Sequence, residues 1–230
     1  MSAKLPLYDD AGINLADPHD TRGHKTRYIT VLHVEALRRL LAPVAGDAMD
    51  VGCGYGRMSR ELAQLGYRRV IGVDPSSRLV AVAKEQYPEL DFLAGALPNL
   101  PVSDASFHTL FLLNVLRSLH LTGVLEVARG AAKPLAAGGR LVVLDNVRVR
   151  HPDYIPEKNI VSLFESTGLR LVSRTVIRGA RWPWTYLIQF GLIPRRWYLL
   201  IARFELIWMR LYPGRPRLQY HNVVWVFQKP

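Results

Sequence analysis

The chain has 230 residues, enough for one domain with additions and a full core, and 49% of them are hydrophobic. A single cysteine excludes a disulfide-stapled scaffold and points to a reducing compartment. The start, Met1-Ser2-Ala3-Lys4-Leu5-Pro6, lacks the apolar run of a signal peptide, so a cytoplasmic location is expected.

The net charge of +11 is uneven. Residues 1–145 carry 16 basic and 15 acidic side chains, whereas residues 146–230 carry 14 basic and 4 acidic. The excess in the C-terminal part favours an anionic partner: nucleic acid, anionic lipid or a phosphorylated small molecule.

Residues 1–23 are polar and rich in turn formers and read as an N-terminal extension. A helix is predicted from His24 to about Leu41, with Ile29, Leu32, Ala36, Leu37 and Leu40 on its apolar face. Next comes Asp50-Val51-Gly52-Cys53-Gly54-Tyr55-Gly56, which ends an apolar approach and opens a helical pattern at Arg57. Glycines at every second position let a backbone approach a ligand where a side chain would collide. Cys53 reads as a small filler inside this turn.

Asp74 closes the apolar run Arg69-Val70-Ile71-Gly72-Val73, where an acid can bind both hydroxyls of a ribose. A dinucleotide fingerprint spaces its glycines G-x-G-x-x-G; here the third glycine comes one residue early and Arg57 stands in its place. Asp50, two residues before the first glycine, would repel a pyrophosphate and attract an ammonium group.

This D-x-G-x-G-x-G run with Asp74 beyond it resembles the first motifs of the class I S-adenosylmethionine-dependent methyltransferases. The helix at His24 and its His24-Lys25-Thr26-Arg27-Tyr28 start are similar to quinone-pathway members, where that helix covers the cofactor and an arginine meets its carboxylate. The run Asn99-Leu100-Pro101, Asp104, Ser106-Phe107 and Asn114-Val115-Leu116 is also similar. The resemblance implies an α/β fold: a Rossmann-like, seven-stranded, mostly parallel sheet flanked by helices. It also implies S-adenosyl-L-methionine bound by Arg27, Asp50, Gly52, Gly54, Tyr55, Gly56, Asp74, Pro75, Ser76, Gly95, Ala96, Leu97 and Asn114. Two positions depart from the pattern: Ala96 replaces an acid that meets the adenine amino group, and His108 replaces the acid after Ser106-Phe107.

Farther along, a helix is expected over Leu121–Leu135 and a strand over Arg140–Asp145, after Gly138-Gly139. The resemblance covers residues 24–178 and resumes in a last strand, Asn222–Gln228. The segment 179–220 is longer than a connection needs and reads as a helical insertion within a single domain of residues 1–230. It holds Trp182, Trp184, Trp197 and Trp208, and a helix pattern over Trp197–Tyr212 with Arg196, Arg203 and Arg210 every seven residues. Charges and Pro194 exclude a membrane span. Two readings stay open: a lid over the acceptor side with the arginines outward, or a helix lying in the inner face of an anionic membrane.

Histidines able to serve as a base are His24, His120, His151 and His221, with His151 first because its loop follows strand five. No cluster has metal-ligand spacing. The functional expectation is methyl transfer, with O-methylation favoured, to a small or lipid-linked acceptor that is anionic or amphiphilic. The alternatives are RNA methylation and a non-catalytic methyltransferase-like binding protein.

Overall fold

The computed structural model describes residues 20, 22–41, 46–119, 121–148, 156–179, 182–212 and 220–230. The extension 1–19, His120 and His151 lie outside the described residues. In chain order the elements are α1 (His24–Leu40), β1 (Asp47–Val51), α2 (Arg57–Ala63), β2 (Arg69–Asp74), α3 (Ser77–Gln86), β3 (Asp91–Ala94) and β4 (Phe107–Leu113). There follow a short 3-10 turn (Leu116–Ser118), α4 (Leu121–Ala131), β5 (Leu135–Arg148), α5 (Glu157–Glu165) and β6 (Arg170–Arg178). The chain closes with α6 (Pro183–Gln189), a 3-10 turn (Arg195–Trp197), α7 (Tyr198–Leu211) and β7 (Tyr220–Gln228).

The strands form one sheet in the order β3-β2-β1-β4-β5-β7-β6. β1–β2, β2–β3, β1–β4 and β4–β5 pair in parallel, and β7 runs antiparallel to β5 and β6. This is the Rossmann-like, mostly parallel sheet expected, with helices on both faces. Its strands are covered on both sides, so they read as continuous apolar runs. On one face Met49, Ile71, Leu110, Val143 and Trp225 pack with α4 and α5. On the other, Val70, Phe111, Val142 and Val224 pack with Ala36 and Leu37 of α1 and Met58 and Leu62 of α2.

Two boundaries differ from the expectation for one reason. Leu135 pairs with Phe107 and Arg140 with Thr109, so five residues of β5 oppose two of β4. Gly138, at φ +72°, turns the backbone within that bulge, so the strand begins at Leu135 and α4 ends at Ala131. The glycine pair sits within the strand instead of before it.

The insertion packs on the first helix. Tyr28 and Leu32 of α1 meet Ile188 of α6 and Tyr198 and Ala202 of α7. The Tyr28 hydroxyl donates to Glu205 at 2.5 Å, and Glu205 pairs with Arg178 at 3.2 Å; all three are buried. Burial, then the Glu205 charge beside it, pushes the Tyr28 phenol well above its usual range. Arg203, though exposed like Arg196 and Arg210, bonds Glu35 of α1 at 3.0 Å, so the outward stripe is tied to the first helix at one point. Removing one partner of a buried pair leaves the other charge unmatched, so Glu205→Ala is expected to cost about 3–5 kcal/mol of stability. Urea unfolding should show that loss, and Glu205→Gln should cost less.

Candidate active site

Gly52, Gly54 and Gly56 have φ of +78°, +57° and +82°. All lie in the left-handed region that residues with a Cβ avoid. Space excludes side chains as well: a Cβ on Gly52 would stand 2.6 Å from Val115 Cγ2, and one on Gly56 would stand 2.7 Å from Phe92 Cζ. The turn leaves β1 through hydrogen bonds from Gly52 N–H and Cys53 N–H to the Val73 carbonyl, at 2.7 and 3.1 Å.

Asp74 holds the turn from the tip of β2. Its Oδ2 accepts from Gly54 N–H at 2.8 Å, and its Oδ1 accepts from Ser76 N–H at 2.9 Å. Ser76 in turn caps α3 by accepting from Leu79 N–H. Gly95 follows β3, donates to the Asp74 carbonyl at 3.0 Å, and leaves room for Pro101. Ala96 and exposed Asn99 form a small bridge beside buried Leu97.

Beneath the turn, Asp50 is buried and accepts from Ser59 Oγ at 2.7 Å, so its carboxylate is engaged with α2. Burial raises its pKa to about 6, against the Ser59 hydrogen bond and the Arg57 charge. Cys53 is buried, and burial pushes its thiol up, which suits a filler and not a nucleophile. Tyr55 is also buried.

Asp145, which sequence reasoning had only as a strand end, organises the turn after β4. Its carboxylate accepts from Leu116 N–H at 2.7 Å, Arg117 N–H at 3.2 Å and Asn146 N–H at 2.7 Å. Burial raises its pKa to about 6 despite those donors. Asn114 stands at the head of that turn with φ +62°, a conformation that asparagine tolerates.

Above the turn, Arg57 Nη1 bonds Thr30 Oγ1 and so ties the glycine loop to α1. Arg27 is exposed on α1, while Tyr28 points into the insertion and not toward the turn, because the buried Glu205 carboxylate claims its hydroxyl. His24 lies beside Gly191 of the insertion. His221 lies 3.9 Å from Glu157, which also accepts from Arg174 and from Trp225 Nε1. Burial opposes charge on Glu157, yet the bonds from Arg174 and His221 bring its pKa down to about 2.

His33 was missed because it falls on the apolar face of α1 and reads as core. It is 1% exposed, and neither ring nitrogen has a hydrogen-bond partner among the described residues. Among the described residues, no group of three or more His, Cys, Asp and Glu side chains is placed to hold a metal ion.

A sheet of this order, with a glycine turn after β1 and an acid clamping it from β2, defines a methyltransferase-type nucleotide fold. A sequence profile described as "Methyltransferase domain" matches residues 48–139. The chain is 31% identical over 177 residues to the demethylmenaquinone methyltransferase of Beutenbergia cavernae, which is 70% of each protein. It is 31% identical over 160 residues to the ribosomal protein L11 methyltransferase of Geobacter metallireducens, 69% of this chain and 49% of that protein. The chain thus spans about half the length of the latter relative. Among solved structures, the [4+2]-cyclase SpnF superposes with a TM-score of 0.63 at 16% identity, covering 88% of this chain and 80% of that one. That likeness shows the fold alone. The chain belongs to the class I S-adenosylmethionine-dependent methyltransferases.

The buried acids set an expected pH dependence. Asp50 and Asp145 have folded pKa values near 6, above the ordinary 3.8, so the folded state holds their protons more tightly. Their contribution to stability is full below the unfolded value and is lost as pH rises to 6. Asp50→Asn should flatten that part of the stability profile between about pH 4 and pH 6. An unchanged slope in denaturant titrations would contradict the assignment.

Proposed function

We propose that the chain transfers the methyl group of S-adenosyl-L-methionine to an oxygen of a small, amphiphilic and anionic acceptor. The observation that carries the reading is the Asp74 clamp. One carboxylate at the tip of β2 ties down a turn of three left-handed glycines, in which Val115 and Phe92 occupy the space that Cβ atoms on Gly52 and Gly56 would need. Gly52, Gly54, Gly56, Tyr55 and Asp50 form the turn that would hold the cofactor, with Asp74, Pro75 and Ser76 at the ribose. Gly95, Ala96 and Leu97 line the adenine side, where backbone and apolar groups replace an acid. Asn114 stands at the strand end that borders the reacting methyl, and Arg27 lies on the helix above. Arg27 is the residue proposed for the cofactor's carboxylate. The cofactor supplies an electrophilic methyl on a sulfonium, and the protein's work is to align the acceptor oxygen behind it. His151, which lies outside the described residues, remains the residue proposed as base.

The insertion supports the amphiphilic acceptor. Among the described residues, every exposed large apolar side chain except Val172 lies between Tyr186 and Tyr212, including Phe190, Leu192, Trp197, Leu200, Phe204, Ile207 and Leu211. Trp182 stacks on Trp184 at 4.5 Å, and Trp208 leans on Phe204 and Tyr212. Among the described residues no helix is long and apolar enough to cross a membrane. An apolar, aromatic face edged by the exposed Arg195, Arg196 and Arg210 suits shallow insertion at the inner, anionic surface of a membrane that also supplies the acceptor.

Calorimetry with S-adenosylhomocysteine tests the cofactor half of this reading. Wild type should bind, and Asp74→Ala should lose about 1–3 kcal/mol or more, from unpaired ribose hydroxyls and a loosened turn. Tight binding of a nicotinamide dinucleotide in its place would sink it. Co-sedimentation with phosphatidylglycerol and phosphatidylcholine vesicles tests the surface. Binding should favour the anionic vesicles and fall by about 1 kcal/mol for each of Arg196→Glu and Arg210→Glu. Equal, negligible pelleting with both lipids would remove the membrane contact. Binding to RNA with a steep salt slope would turn the reading toward a nucleic-acid acceptor.

A further inference from the structure

On the sheet face covered by α1 and α7, the strand tips carry polar side chains that the cofactor site does not use. Asn146 of β5 and Asn222 of β7 are opposite one another, and their amides are hydrogen-bonded. Arg178 is opposite Asn222 at the tip of β6, is buried, and bonds Thr185 at 2.8 Å. Arg57 reaches Thr30 from the glycine turn, and His33 lies one turn farther along α1. Arg117 follows the turn that Asp145 holds.

The carboxylates around this centre already have partners. Glu205 of α7 takes Tyr28 and Arg178, Asp145 takes three backbone N–H groups, and Asp50 takes Ser59. Glu35, on α1 itself, takes Arg39 and Arg203. Among the described residues, His33 alone has both side-chain nitrogens buried without a partner, where nearly all buried polar groups have one. Burial, and then the charges of Arg57, Arg178 and Arg117, push its pKa down to about 3, so near neutral pH it is an uncharged imidazole in the field of those three arginines. An imidazole so placed can share a hydrogen bond with an acidic oxygen whose negative charge the arginines favour.

We infer that this centre, formed by His33 with Arg57, Arg117 and Arg178, is the subsite that receives an acidic oxygen of the acceptor, of carboxylate or phenolate type. The inference rests on the methyl-transfer reading and sharpens it: the acceptor's charged end lies inside, under α1, while its apolar part runs out along the aromatic face of α6 and α7. Because His33 is closed to solvent, the acceptor reaches it only as α1 and the insertion part.

The test uses the full chain with nitrogen-15-labelled histidine and reads the His33 ring resonances. S-adenosylhomocysteine alone should leave them in place; adding dodecanoate should move them, and adding dodecanol should not. Arg117→Gln changes an exposed side chain and spares the buried Arg178–Glu205 pair. It should weaken dodecanoate by about tenfold and leave S-adenosylhomocysteine affinity within about twofold. His33→Asn should weaken dodecanoate likewise. The inference is overturned if dodecanoate does not move His33, or if both variants bind it as wild type does. It is also overturned if S-adenosylhomocysteine moves His33 while 5′-methylthioadenosine, which lacks the amino acid part, does not; the centre then holds the cofactor's own carboxylate. Failure of wild type to bind S-adenosylhomocysteine defeats the methyl-transfer reading separately, and the dodecanoate and dodecanol arms still report on the subsite.

Discussion

A pair of hydrogen bonds that Asp74 accepts, from Gly54 and Ser76, is the constraint on which the rest of the site depends. A carboxylate at the end of one strand is tied to the backbone of the turn after its neighbour, so the loops after β1 and β2 are held as one body. A charged acceptor makes such bonds stronger than a neutral one would. The three glycines are the counterpart: only a chain without Cβ atoms can bend as this turn does and pass Val115 and Phe92 so closely. The first turn of α2 follows from it, and through Arg57 and Thr30 so does the seat of α1.

Much of this is visible in the sequence because it is local. The glycine spacing, the acid at Asp74, the Ser76 cap and the alternation of strands and helices each leave a mark within a few residues. What is hidden depends on partners far apart in the chain. Tyr28 and Glu205 are separated by 177 positions, and nothing near either says that the hydroxyl turns into the insertion. Arg203 lies on the outward stripe that the sequence shows, but its bond to Glu35, 168 positions away, leaves no local mark. Asp145 looks like the end of a strand, since its three backbone donors lie on other segments or turn only in the folded chain. His33 occupies a helical core position, and its lack of partners is a three-dimensional fact. The bulge at Gly138 misled by position: glycines that read as a turn before a strand prove to bend the strand itself.

Charge divides the molecule by task. The N-terminal part is nearly balanced, and of its buried acids Asp50, Asp74 and Asp145 fix backbone or a hydroxyl while Glu35 holds arginines. The C-terminal part holds the excess of arginine and the exposed aromatic surface together. The ion pair of Arg178 with Glu205 joins the two parts, because it links the end of β6 to α7 and, through Tyr28, to α1.

The antiparallel course of β7 has a further consequence. Arg178, the last residue of β6, stands directly opposite Asn222 in β7, so the segment between them departs from and returns to neighbouring points of one ladder. For a segment anchored in this way, the entropy of closure changes slowly with its length. Segments of very different size and composition could therefore be exchanged there without altering the strand register or the nucleotide turn. The sheet and the segment carried between β6 and β7 are then free to diverge at separate rates, which is one way a single fold comes to serve many functions.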